Sequence, residues 1–239
     1  MHRTQERNPK EEREHMKVTL TALTAAVLAS AAAADTLDFS DLSHGEVVAE
    51  QYAGLGVHIS ANNPNRPVDL AMAFDTNLNG TADPDLQNPF SMGNTDLNTD
   101  LGNVLIISTD GTPNDEGNRP AGTLTFDFDM TVQSIGFHVV DLESATIEGT
   151  SIDFYLGGSL VNSVDFSDFL AGGSMDNGVI FGNNSINLIE EFTVAGGFDQ
   201  AVFNVGGSMG FDNINYTVPA PGALALFGLG GALVSRRRR

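Results

Sequence analysis

Between Asp35 and Val218 apolar and polar side chains alternate over short runs, and Gly, Asn, Asp and Pro separate one run from the next. Alternation with period two places successive side chains on opposite faces of a strand, whereas a helix needs an apolar stripe with period 3.6. No such stripe runs through this span. The pattern predicts strands over 36–39, 46–49, 56–60, 68–74, 103–108, 123–128, 133–141, 151–156, 159–164, 186–194, 200–205 and 211–216. Leu124, Phe126 and Phe128 share one face, as do Ile135, Phe137 and Val139, and Ile152, Phe154 and Leu156. These nine residues are the expected core. A dozen short strands with turn chemistry between them predict an all-β domain, a single β-sandwich of jelly-roll type. The stretch 62–101 holds few strand formers beyond Phe74 and reads as a long ordered or semi-ordered loop, a length that usually serves function.

The chain has different chemistry at its ends. Met16 and Lys17, the apolar run 18–28 and Ala31 to Ala34 form a charged start, an apolar middle and a small-residue cleavage site. That is the grammar of a secretory signal, read here as residues 1–34 with translation starting at Met16 and the mature chain at Asp35. Signal peptidase is the implied processing partner. At the other end Pro219, Ala220 and Pro221 precede thirteen residues, 222–234, drawn only from Gly, Ala, Leu, Phe and Val, and then Arg236, Arg237, Arg238 and Arg239. As a helix the run covers about 20 Å, short of the roughly 30 Å core of a bilayer. The arginines favour the cytoplasmic side, so the run reads as a transient inner-membrane insertion. The two prolines offer an extended segment for cleavage.

This tail resembles a PEP-CTERM sorting domain, with Ala220 standing where the family pattern has Glu. The resemblance implies handling by exosortase and places the span 35–218 at the cell surface or in the extracellular matrix. It implies a structural or adhesive role, with exopolysaccharide as a partner, and the alternative of a carbohydrate-binding module.

Charge narrows the classes further. The span 35–218 holds only Arg66 and Arg119 as basic residues against 27 acids. A domain carrying about −25 repels nucleic acid and attracts cations. The chain has no cysteine, so an exported domain must hold together without disulfides, and a bound metal is one substitute. Asp75, Asn77, Asn79 and Asp83 set oxygen side chains at alternate positions around Gly80, the donor chemistry of a calcium loop. Leu86 stands where such a loop would carry its bidentate Glu.

The runs at 83–86, 102–107, 115–118 and 122–128 resemble a module of exported bacterial surface proteins. That resemblance implies that Asp75, Asp83, Asp85, Asp115 and Glu116 belong to one site. The closing run 210–216 is similar to the last strand of jelly-roll, carbohydrate-binding-like domains, which implies Asp212 as a ligand of structural Ca2+ and a bulge between Phe211 and Ile214. Catalytic signatures are missing. His44, His58 and His138 have no metal-ligand spacing, and neither Gly-Ser-Met run completes a nucleophile elbow. The chain therefore reads as a non-enzyme. A hydrolase would need two acids in one cleft with at least one of them desolvated.

Overall fold

The computed structural model describes residues 33–63, 66, 68–114, 119–144 and 148–219. The signal-like residues before Ala33 lie outside that set. Ten strands form one hydrogen-bonded sheet along the path β3-β5-β10-β6-β9-β7-β8, with β1 on β10, β2 on β6 and β4 on β9. In chain order they are β1 (Ala33–Leu37), β2 (Val57–Asn62), β3 (Leu70–Asp75), β4 (Met92–Gly93), β5 (Asn103–Ser108), β6 (Gly122–Val140), β7 (Ser151–Leu156), β8 (Ser159–Asp165), β9 (Ser185–Val205) and β10 (Gly210–Val218). All pairings are antiparallel except that of β4 with β9.

The path folds over on itself because β6 and β9 each run through both layers. The early part of β6 pairs with β2, from Val57↔Phe128 to Asn62↔Thr123, and its late part pairs with β10, from Gly210↔Val140 to Thr217↔Ser134. The register of β6 against β9 shifts between Asp127 and Val132. There Gly196 and Gly197 of β9 adopt φ of 89° and 78°, a left-handed backbone that glycine takes without steric cost. A Cβ on Gly197 would stand 2.6 Å from Thr131. These glycines thus bend a strand from one layer into the other, while the pair Gly157 and Gly158, with φ of 57° and 75°, turns the β7–β8 hairpin. Runs 123–128 and 133–141, two strands by their pattern, are one, and so are 186–194 and 200–205.

The sheet closes into a sandwich over an aromatic core. Phe137 meets Phe203 at 5.1 Å, Phe203 meets Phe211 at 5.0 Å, and Phe128 meets Tyr216 at 5.1 Å between ring centroids. Each pair joins a side chain of one layer to one of the other, and the tilted or edge-on geometry is the favoured one for rings. Leu124, Phe126, Phe128, Ile135, Phe137, Val139, Ile152 and Phe154 all sit in this core, while Leu156 at the end of β7 is only half-buried. The run 46–49 makes only a single bridge, Val47↔Met72.

The long loop is partly a cover. Leu86, Phe90 and Leu101 pack on Met72, Phe74, Val104, Ile106, Val140 and Ile186, forming a second apolar cluster on the outer face of the β3–β5 layer. Apolar side chains spaced without a strand or helix period therefore bury themselves as a loop. Asn94 fastens it by donating its side-chain amide to the carbonyls of Asn177 and Leu188 and accepting the Leu188 N–H at 2.7 Å.

Candidate metal centre

Asp75 closes β3, and its Oδ1 accepts the Asn77 N–H at 2.9 Å. Asn77 in turn donates to Asp100, whose carboxylate also accepts the Gly102 N–H, and these bonds hold Asp100 below the usual carboxylate range. Asn79 is exposed. The Asp83 carbonyl accepts the Thr81 hydroxyl, and the Asp85 carbonyl accepts the Asn184 amide. The five residues are strung along one loop, and the hydrogen bonds of Asp75 and Asn77 shape its turns. Asp115 and Glu116 lie outside the described residues, as do Ala220, Pro221 and Arg236 to Arg239. Among the described residues no group of three or more His, Cys, Asp or Glu side chains stands in position to hold a metal.

Asp212 lies in a different setting. β10 carries a register shift between Asp212 and Asn215, with Asn213 at φ 49°. The bulge lets Phe211 and Ile214, three residues apart, both enter the main core. Asp212 is left 1% exposed. Its Oδ2 accepts the Asn213 side-chain amide at 2.8 Å, but its Oδ1 is buried without a hydrogen-bond partner. Burial pushes this carboxyl up to about 8, and the charge of Asp38 pushes in the same direction.

Strand register supplies the neighbours. Leu37, the last residue of β1, pairs with Ile214, so Asp38 follows where β1 leaves β10. On the other flank Phe211 pairs with Leu105 of β5, and Asn103 lies two residues from Leu105 in the direction in which β10 runs on to Asn213. The Asn103 amide donates to the carbonyls of Phe39 and Leu42 at 3.2 and 2.8 Å, while its Oδ1 is buried without a partner. Tyr52 donates its hydroxyl to Asp41 at 2.7 Å, and its pKa is raised by burial first, then by that bond and by the charges of Asp41, Asp38 and Asp212.

An orphaned buried carboxylate oxygen normally needs a cation or a donor. A hard divalent ion takes six to eight oxygens, including amide and main-chain carbonyls. Asp212 Oδ1 and Asn103 Oδ1 are oxygens of the kind such an ion takes, and both lack a partner. Asp75 pairs with Asn103 in register and Asn77 bonds Asp100 three residues before it, so these two loop residues stand by the start of β5. The sequence motif around Asp212 marks one ligand. Nothing local marks Asp38 or Asn103, because pairing between distant strands brings them there.

A second acidic centre surrounds Asp141. Its Oδ1 accepts the Asn184 N–H at 2.7 Å and its Oδ2 accepts the Ser208 hydroxyl at 3.2 Å. Burial pushes it up to about 7, with Glu143 and Asp85 adding to the shift. Both Asp141 and Asn184 are left-handed, with φ of 58° and 53°. Asn184 passes the connection on by donating to the Asp85 and Gln87 carbonyls, each at 2.8 Å. Glu148 is raised by burial and pairs with Arg119, which also bonds Glu143. Glu148 borders a cleft of about 250 Å³ with Asn62, Thr123 and Asn204, but its own side chain is fully covered. His138 is half-buried opposite Phe137, with Nδ1 unpartnered and its pKa lowered by burial.

No protein-family model matches the chain, and no curated protein sequence matches it.

Proposed function

We propose that this chain is an exported surface or matrix protein whose β-sandwich serves a structural or adhesive role and is stabilised by a calcium ion. The observation that carries the metal part is the pair of unpartnered oxygens, Asp212 Oδ1 and Asn103 Oδ1, buried near the loop 38–42 in a chain of formal charge −20. The signal-like residues 1–34 and the sorting-like tail from Pro219 support export and handling by exosortase. A cation that binds the folded state and not the unfolded one raises stability by mass action. Thermal unfolding of the purified chain should therefore show a Tm several degrees higher in calcium than in chelator. An unchanged Tm would remove the metal from the proposal. Ending the chain at Val218 should leave the melting curve as it is and change where the protein is retained in the producing cell.

One feature favours glycan binding as a second reading. The outer face of the β2-β6-β9-β7-β8 layer aligns polar side chains across strands: Asn204 bonds Ser151 and Asp153, Gln200 bonds Asp127, and Tyr155 stands on the same face. Exopolysaccharide fragments that bind the wild-type protein and not Tyr155→Ala would favour this reading, and a blank glycan array in calcium would remove it.

A further inference from the structure

β1 is a short edge strand of the sandwich. It has five residues and pairs with β10 alone, from Ala33↔Val218 to Leu37↔Ile214. Ala34, Asp35 and Thr36 are exposed and Leu37 is buried. One side-chain bond, from Thr36 to Asn215, reinforces the pairing. Such an edge opens at far lower cost than the core strands.

The segment after β1 is acidic and sits against a buried acid. Asp38 is exposed and its carboxylate accepts the Ser40 hydroxyl at 2.9 Å. Its charge opposes ionisation of Asp212, two residues before the partner of Leu37. Asp35 and Asp41 add further negative charge to the same short segment, and Arg66 and Arg119 are the only basic residues in the span 35–218. Arg119 is engaged with Glu143 and Glu148. Without a cation, the buried Asp212 Oδ1 has no partner and nothing ties it to Asp38, the residue that follows β1. A divalent ion between them would join β10 to the end of β1. Asn103 contributes twice, since its amide already holds the Phe39 and Leu42 carbonyls in place and its free Oδ1 is the third donor.

Resting on the cation reading above, we propose that a calcium ion held by Asp212, Asp38 and Asn103 clamps the first strand of the domain to the last. β1 is then docked when the ion is present and released when it is removed, while the two core layers stay folded. The register gives the clamp a consequence at the chain ends. Ala33 pairs with Val218, beside Pro219, so the docked strand brings residues 33 and 218 together on one edge. Release of β1 frees that edge of β10.

Hydrogen exchange of the full purified chain, read peptide by peptide in calcium and in chelator, tests this. Residues 33–42 should exchange at least about tenfold faster in chelator, with the β6–β9 pairing at 134–140 and 186–193 unchanged. Asp212→Asn should exchange fast at 33–42 in both conditions. Asp38→Ala, at an exposed position that leaves the core intact, should do the same. Equal protection of 33–42 in both conditions, together with a calcium-dependent Tm, would overturn the clamp and leave the cation reading standing. Uniform loss of protection through both layers would also overturn it, since the ion would then support the whole fold. No response of either exchange or Tm to calcium would overturn both.

Discussion

Asp141 is the residue whose chemistry gives the sharpest pH signature. Its carboxyl is pushed up to about 7 in the folded protein, against about 3.9 in an unfolded chain. Between those values the native state holds a proton that the unfolded state has released. Stability contributed at this site is therefore greatest below about pH 4 and declines as pH rises towards 7. Asp141→Asn keeps one acceptor oxygen for the Asn184 N–H and removes the titration. Its Tm should match the wild type near pH 4 and exceed it by a growing margin up to about pH 8. A Tm lower than wild type by the same amount at both pH values would show that the carboxylate is required rather than strained. In the sequence Asp141 stands beside Glu143 as one acidic group among several. Its burial is not legible there, because Ser208 and Asn184 reach it from other parts of the chain.

At the scale of elements, legibility follows periodicity. β5 and β7 form over the residues expected of them, β7 from two-residue alternation and β5 from a short continuous apolar run buried on both faces. The two long strands look like four because a bend in mid-strand has the composition of a turn. Gly196 and Gly197 interrupt the apolar alternation without ending the strand. The loop 76–102 is legible as a loop, but its role as a cover is not. Leu86 is fully buried in the second cluster, within the 3-10 turn Pro84–Leu86. Leu86→Ala should cost about 2–5 kcal/mol by the loss of buried surface and the cavity left behind. Urea unfolding would measure this directly, and a change below about 0.5 kcal/mol would show that the loop does not pack as a cover.

At the scale of the molecule, an acidic chain without disulfides holds itself together through an aromatic core shared by two layers and, as proposed, one cation. The formal charge of −20 destabilises the compact state by self-repulsion. The proposed divalent ion would act beside Asp212, a carboxyl only 1% exposed. The sequence indicates cation affinity through composition, and Asp212 through its motif. It points first to the loop from Asp75 to Asp85, where local spacing of oxygen side chains imitates a calcium loop. The structure brings Asp75 and Asn77 from that loop to the start of β5, where Asn103 stands. Sequence spacing describes a ligand set that one segment supplies, whereas the proposed set draws on β5, β10 and the turn after β1.

Calorimetric titration of calcium into the purified wild-type chain and into Asp212→Asn tests the central claim most directly, with circular dichroism to establish that the variant is folded. One calcium should bind per wild-type chain, and binding to the variant, which loses the charged ligand, should be at least about tenfold weaker. No binding to the wild type, or the same isotherm for both proteins, would contradict the cation site.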